Sequence, residues 1–168
     1  MMLGLSPSAF TLLHVLLSLA GIGAGLVVLA ALLRGASAAG WTEVFLVATI
    51  ATSATGFLFP FGGVLPAHVM GALSLVALAT AMVALYGRQL AGRWRAVFAA
   101  MAMVALYFNC FIAVAQLFLK VPVLHDLAPT LSEAPFLAAE LVLLALFLWL
   151  GWRVVRVVPA EPGAAPVD

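Results

Sequence analysis

The side chains able to carry chemistry collect in one stretch, residues 109–140, NCFIAVAQLFLKVPVLHDLAPTLSEAPFLAAE, which gathers Asn109, Cys110, Gln116, Lys120, His125, Asp126, Glu133 and Glu140. His14 and His68 stand apart from it, each in apolar surroundings. A carboxyl set as deep in an apolar run as Glu140 must be protonated, paired or hydrated. Two imidazoles on different helices are the ligand set of a b-type haem, whose iron takes two nitrogens and whose potential the pocket sets. Ser18 and Gly21 beside His14, with Gly71 and Ala72 beside His68, leave room for a porphyrin. A divalent ion held by His14, His68 and Glu140 is a weaker variant, because no ligand spacing such as HExxH supports it. Each residue also has a packing explanation. Asn109 and Gln116, seven apart on one helix face, suit hydrogen bonds between helices, and His125, Asp126 and Glu133 suit an aqueous loop. Thr49, Thr52, Ser53 and Gly56 recur at i, i+3, i+4 and i+7, one face on which Ser53 joins the pocket-lining set. Gly21 and Gly25 are spaced as GxxxG and predict a close helix interface. Cys110, the one cysteine, excludes an internal disulfide and any CxxC motif, and packs as a small hydrophobe.

The elements that must position these groups are set by composition. Of 168 residues, 67% are hydrophobic and 8% charged, more apolar surface than one soluble core of this size can bury. The expected fold is all-α, a polytopic membrane bundle. A net charge of +1 excludes a nucleic-acid footprint, which needs a basic face. Crossing ~30 Å of hydrocarbon takes about 20 apolar residues, and five such runs fall near 9–33, 42–59, 66–86, 96–119 and 134–152. Ser6 and Pro7 supply an N-cap and a first-turn proline for the first. The FGGVL connection makes the second and third antiparallel neighbours. Thr130 and Glu133 have the spacing of a capping box for the fifth, and residues 121–130 fit either a loop or a short interfacial helix. Residues 1–158 form one domain, with 159–168 expected to be a disordered cytoplasmic tail. ASA at 36–38 resembles a cleavage site, but without a basic n-region and with so long an apolar run, the first segment is expected to be a retained span.

Five spans place Arg34, Arg88, Arg93, Arg95, Arg153 and Arg156 on one side and only Lys120 on the other, so the positive-inside rule puts the arginines in the cytoplasm and the N-terminus outside. Trp41, Trp94 and Trp152 fall at the same boundary. His14, His68, Gln116 and Glu140 then share the outer half, with Asn109 near the midplane. An ionisable group facing lipid is costly, so this sidedness predicts an outward-facing polar pocket.

The segments TSATGFLFP, LPAHVMG and LYFNCFIAVAQLFLKVPVLHDLAPTLSEAPF resemble a family of small multi-pass inner-membrane proteins of proteobacteria. That resemblance covers most of residues 11–150 and implies a bacterial inner-membrane location. LLHVLLSLAGIGAG, and TG followed by a histidine at the next helix start, are more distantly similar to cytochrome-b561-like and copper-resistance membrane subunits. This likeness implies His14 and His68 as candidate ligands, and at most one haem b.

Two classes of function follow. One is a binding or accessory subunit docked on another membrane protein or on copies of itself, bathed in membrane lipid. The other is a redox or transport component, with haem or metal at His14 and His68 or a proton or small molecule at Glu140. Alternating-access transport is disfavoured by the lack of an internal repeat. Hydrolysis is disfavoured by the lack of G-x-S-x-G, HExxH or a serine beside a histidine on the outer face, so an enzyme is not expected.

Overall fold

The computed structural model describes residues 4–59 and 66–157, and every regular element in them is helical: α1 (Pro7–Leu32), α2 (Ala39–Gly56), α3 (Pro66–Met82), α4 (Trp94–Lys120), α5 (Pro122–Leu127) and α6 (Ala134–Val157). A π-helical turn, Val83–Gly87, extends α3. The FGGVL connection and the 159–168 tail lie outside the described residues. Four stretches are long and apolar enough to cross a membrane: α1, residues His68–Gly87, α4 and α6. The chain is thus a multi-pass membrane protein by the length and composition of its helices. The second run forms α2 as expected, but its 18 residues carry Thr42, Glu43, Thr49, Thr52, Ser53 and Thr55, which make it the least apolar of the long helices.

The helix ends follow local chemistry. Ser6 caps α1, its hydroxyl accepting from Ala9 N at 3.3 Å with Pro7 in the first turn. Residues 121–130 contain a short helix, α5, started by Pro122. Of the capping box expected at Thr130, the Glu133 side chain's bond back to Thr130 N forms, but the helix starts later, at Ala134. Glu133 stands immediately before α6, and its carboxylate accepts from Thr130 N, Thr130 Oγ1 and Ser132 N at 3.2, 2.7 and 3.1 Å. Pro135 is the reason: a helix capped at Thr130 would put its ring against the carbonyl of Leu131, four residues back. Leu131 instead takes a left-handed φ of 60° and the helix begins at Ala134.

Helices α1, α2, α3 and α4 form a ring, each packing on the next and α4 closing on α1, while α6 lies outside the ring against α4. Alanine dominates the core, with Ala77, Ala81, Ala84, Ala99, Ala102 and Ala105 letting α3 and α4 approach closely around Phe45, Leu78 and Leu106. A smaller cluster of Ala115, Phe118, Ala128 and Phe136 ties α4, the α5–α6 turn and the start of α6 together at the opposite end.

The packed helices run antiparallel, as Gly25 against Phe45 on α2 and Phe136 against Phe118 on α4 require. The six arginines therefore gather at one end. There Arg88, Arg153 and Arg156 lie over the rings of Trp94, Trp149 and Trp152 at 5.1, 5.3 and 3.8 Å. At that end α3 turns into α4 within six residues, through Gln89, Leu90 and Gly92, all with positive φ. Lys120, His125, Asp126 and Glu133 mark the other end.

Candidate functional site

The polar side chains that come together line the junction of α1, α2 and α4. His14 Nδ1 is 2.8 Å from Thr55 Oγ1. That hydroxyl also lies 2.7 Å from Ala51 O and 3.1 Å from Thr52 O, which can only accept. With its proton directed to one of these carbonyls, the Thr55 hydroxyl oxygen is free to accept from His14 Nδ1–H. Phe59 meets the imidazole edge-on at 5.2 Å.

Deeper along the same faces, Ser18 donates to Asn109 Oδ1 at 3.0 Å, joining α1 to α4. Beside this pair is Gly21. A Cβ there would stand 2.8 Å from Thr49 Oγ1 and 3.1 Å from Asn109 Nδ2, so both groups press close on a point where only glycine fits. Thr49 Oγ1, Thr52 Oγ1 and Asn109 Nδ2 are buried without a hydrogen-bond partner. Three such groups on two helices are costly in an apolar interior. One turn further toward the arginine end the seam is closed. A Cβ at Gly25 would meet Leu106 at 2.6 Å and Phe45 at 2.9 Å, and these residues wall an apolar void of about 10 Å³.

The expected outward pocket of His14, His68, Gln116 and Glu140 does not assemble, because the four side chains belong to different surfaces. Gln116, two turns along α4 from the buried Asn109, is exposed. His68 lies with its ring 5.7 Å from that of Phe57, on the side of α2 where Ser53 O and Phe57 approach Gly71. His14 contacts the side bearing Thr55 and Gly56. The two imidazoles thus meet different residues at the end of α2, Thr55 and Phe57, and nothing in these contacts supports a bis-histidine haem b. Among the described residues no three of His, Cys, Asp and Glu meet as metal ligands, which also separates His14, His68 and Glu140. Ser53 is half-buried toward α3 and outside the seam.

Glu140 is 8% exposed on the α6 face that meets α4, with neither carboxyl oxygen hydrogen-bonded. Gly21 and Gly25 are interface residues, but within the chain: both are buried against α2 and α4, leaving no GxxxG face for a partner. From the sequence, Thr49 and Thr52 read as a packing face, Ser53 as pocket-lining and Ser18 only as space beside His14. The seven-residue period joining His14, Gly21 and Val28, with Ser18 and Gly25 on the same side, was the signal that could have found the α1 half of the seam.

The fold and this interior seam define a helical multi-pass membrane protein with a polar centre in its bundle. No family model, no curated protein and no solved structure matches the chain.

Proposed function

We propose that the chain is a five-span integral membrane protein that acts as a binding, accessory subunit, and that its binding element is the seam of His14, Ser18, Thr49, Thr52 and Asn109. The observation that carries this reading is the trio of buried, unpartnered groups, Thr49 Oγ1, Thr52 Oγ1 and Asn109 Nδ2. Helix packing alone would be served better by apolar side chains at these positions, whereas a small polar ligand would complete their hydrogen bonds. Helix α2 serves as the fifth span, its 18 residues covering about 27 Å. Thr49 and Thr55 meet Gly21 and His14 of α1, and Thr42 and Thr52 are buried with Thr49. The arginine end lies in the cytoplasm and the N-terminus outside, and the membrane is the bacterial inner membrane that the sequence resemblance implies.

Native mass spectrometry of the protein extracted from its own membrane tests this function. The expected result is a small-molecule adduct on the wild type that is lost in Asn109→Leu. No adduct on the wild type, together with unchanged or raised thermal stability in Asn109→Leu, would reduce the seam to a packing feature. Blue-native electrophoresis of the same extract tests the subunit reading, which expects migration above the 17.5 kDa chain.

A further inference from the structure

We propose that Glu140 is a proton-binding site of the membrane interior, separate from the α1/α2/α4 seam, and that it exchanges its proton with the aqueous side bearing Lys120 and His125. The inference rests on α4 and α6 lying in the bilayer, and not on what the seam binds. Glu140 sits six residues into α6, about 9 Å along its axis. It lies between Phe136, which packs edge-on against Phe111 and Phe118, and Phe147, whose ring is 5.6 Å from Tyr107. The carboxyl is therefore pressed into an aromatic seam at the α4–α6 contact, with both oxygens buried and unpartnered.

The titratable groups that face it are Tyr107 and Cys110 of α4, neither of them a cation at any pH. Helix α1, the other neighbour of α6, meets it at the far end, where Gly35 approaches Val157. The six arginines occupy that far end, and Lys120 is exposed ten residues, about 15 Å, along α4 from Cys110. A carboxylate here has no counter-ion and receives no hydrogen bond from Tyr107 or Cys110 as they are placed, so the neutral acid is the form this packing accepts. A metal ion needs several further oxygen, nitrogen or sulfur donors, and the described residues bring no such set together. A proton needs none. The exchange is COOH ⇌ COO⁻ + H⁺, the proton passing to water when α6 loosens. Most of α6 faces away from the bundle, with Leu141, Val142 and Leu148 each about two-thirds exposed, so its attachment is one-sided.

Dicyclohexylcarbodiimide tests the site directly, since this apolar reagent adds the O–H of a neutral carboxylic acid across its C=N bond and spares ionised carboxylates. The full chain in phosphatidylcholine vesicles is treated across a pH series and mapped by peptide mass spectrometry. Adduct is expected at Glu140 near neutral pH, absent from Glu133, and falling about tenfold for each pH unit above the midpoint of the group. Glu140→Gln removes the adduct. Should that variant fail to fold, the wild-type pH series and Glu140→Asp still decide the matter. Asn109→Leu leaves the labelling unchanged if the two sites are separate. No adduct at Glu140, a rate indifferent to pH, or loss of labelling in Asn109→Leu would each overturn the proposal.

Discussion

Gly21 and Thr49 approach so closely that a methyl group on the glycine would stand 2.8 Å from the threonine hydroxyl oxygen. Neither helix can yield cheaply, because Asn109 Nδ2 crowds the same point at 3.1 Å. Gly21→Ala is expected to lower stability by about 1–3 kcal/mol through overpacking, read as a lower melting temperature in detergent with insertion into the membrane intact. Gly23→Ala on the same helix, where a Cβ meets nothing within 4 Å, is the control and is expected to be neutral or mildly stabilising.

Ser18 and Asn109 form a cross-helix pair that a double-mutant cycle can weigh. Ser18→Ala leaves Asn109 Oδ1 without its donor, and Asn109→Leu leaves Ser18 without its acceptor. The coupling is expected at about 0.6 kcal/mol and below about 1.7 kcal/mol, the scale found for hydrogen bonds between membrane helices. Additive single variants in chemical unfolding from mixed micelles would show that the pair is geometric contact only.

The Glu133 carboxylate at the start of α6 gives a pH dependence. The Thr130 hydroxyl, and then the backbone N–H groups of Thr130 and Ser132, hold its pKa below the usual carboxylate value of 4.5. The native carboxyl therefore ionises at lower pH than in the unfolded chain. Its stabilisation is fully present above the unfolded value and is lost as pH falls through the native one. Glu133→Gln at neutral pH is expected to reproduce the acid behaviour, faster amide exchange over residues 130–137 with the rest of α6 unchanged. Equal protection in the two proteins would refute this role for the carboxylate.

Sidedness can be read by chemistry at the two ends. On a Cys110→Ser background, His125→Cys is expected to react with a membrane-impermeant maleimide added to intact cells. Gln89→Cys in the α3–α4 turn is expected to react only after the membrane is opened. The reverse pattern would invert the topology proposed from the arginines.

Most of the fold was legible because its signals are local. Runs of apolar length marked α1, α3, α4 and α6 to within a few residues, and Ser6–Pro7 marked the first cap. What could not be read depended on which face of a helix meets which neighbour. His14 and His68 lie at similar ends of their helices, yet α2 presents Thr55 to one and Phe57 to the other. Gln116 shares a face with Asn109 by heptad count, yet Asn109 is buried and Gln116 exposed. The T-x-x-E spacing gives the Glu133–Thr130 bond but not the start of α6, which the ring of Pro135 decides. Glu140 stands out in the sequence by its depth in an apolar run, and the structure buries it. Its grouping with the histidines was a matter of depth, and depth does not specify azimuth around a bundle.

The attachment of α6 to α4 outside the ring has a consequence for biogenesis. Helices α1 to α4 all precede α6 in the chain, so the residues of the His14–Asn109 seam are synthesised before it and can close on one another without it. Glu140 meets Tyr107 and Cys110 only when α6 docks on α4.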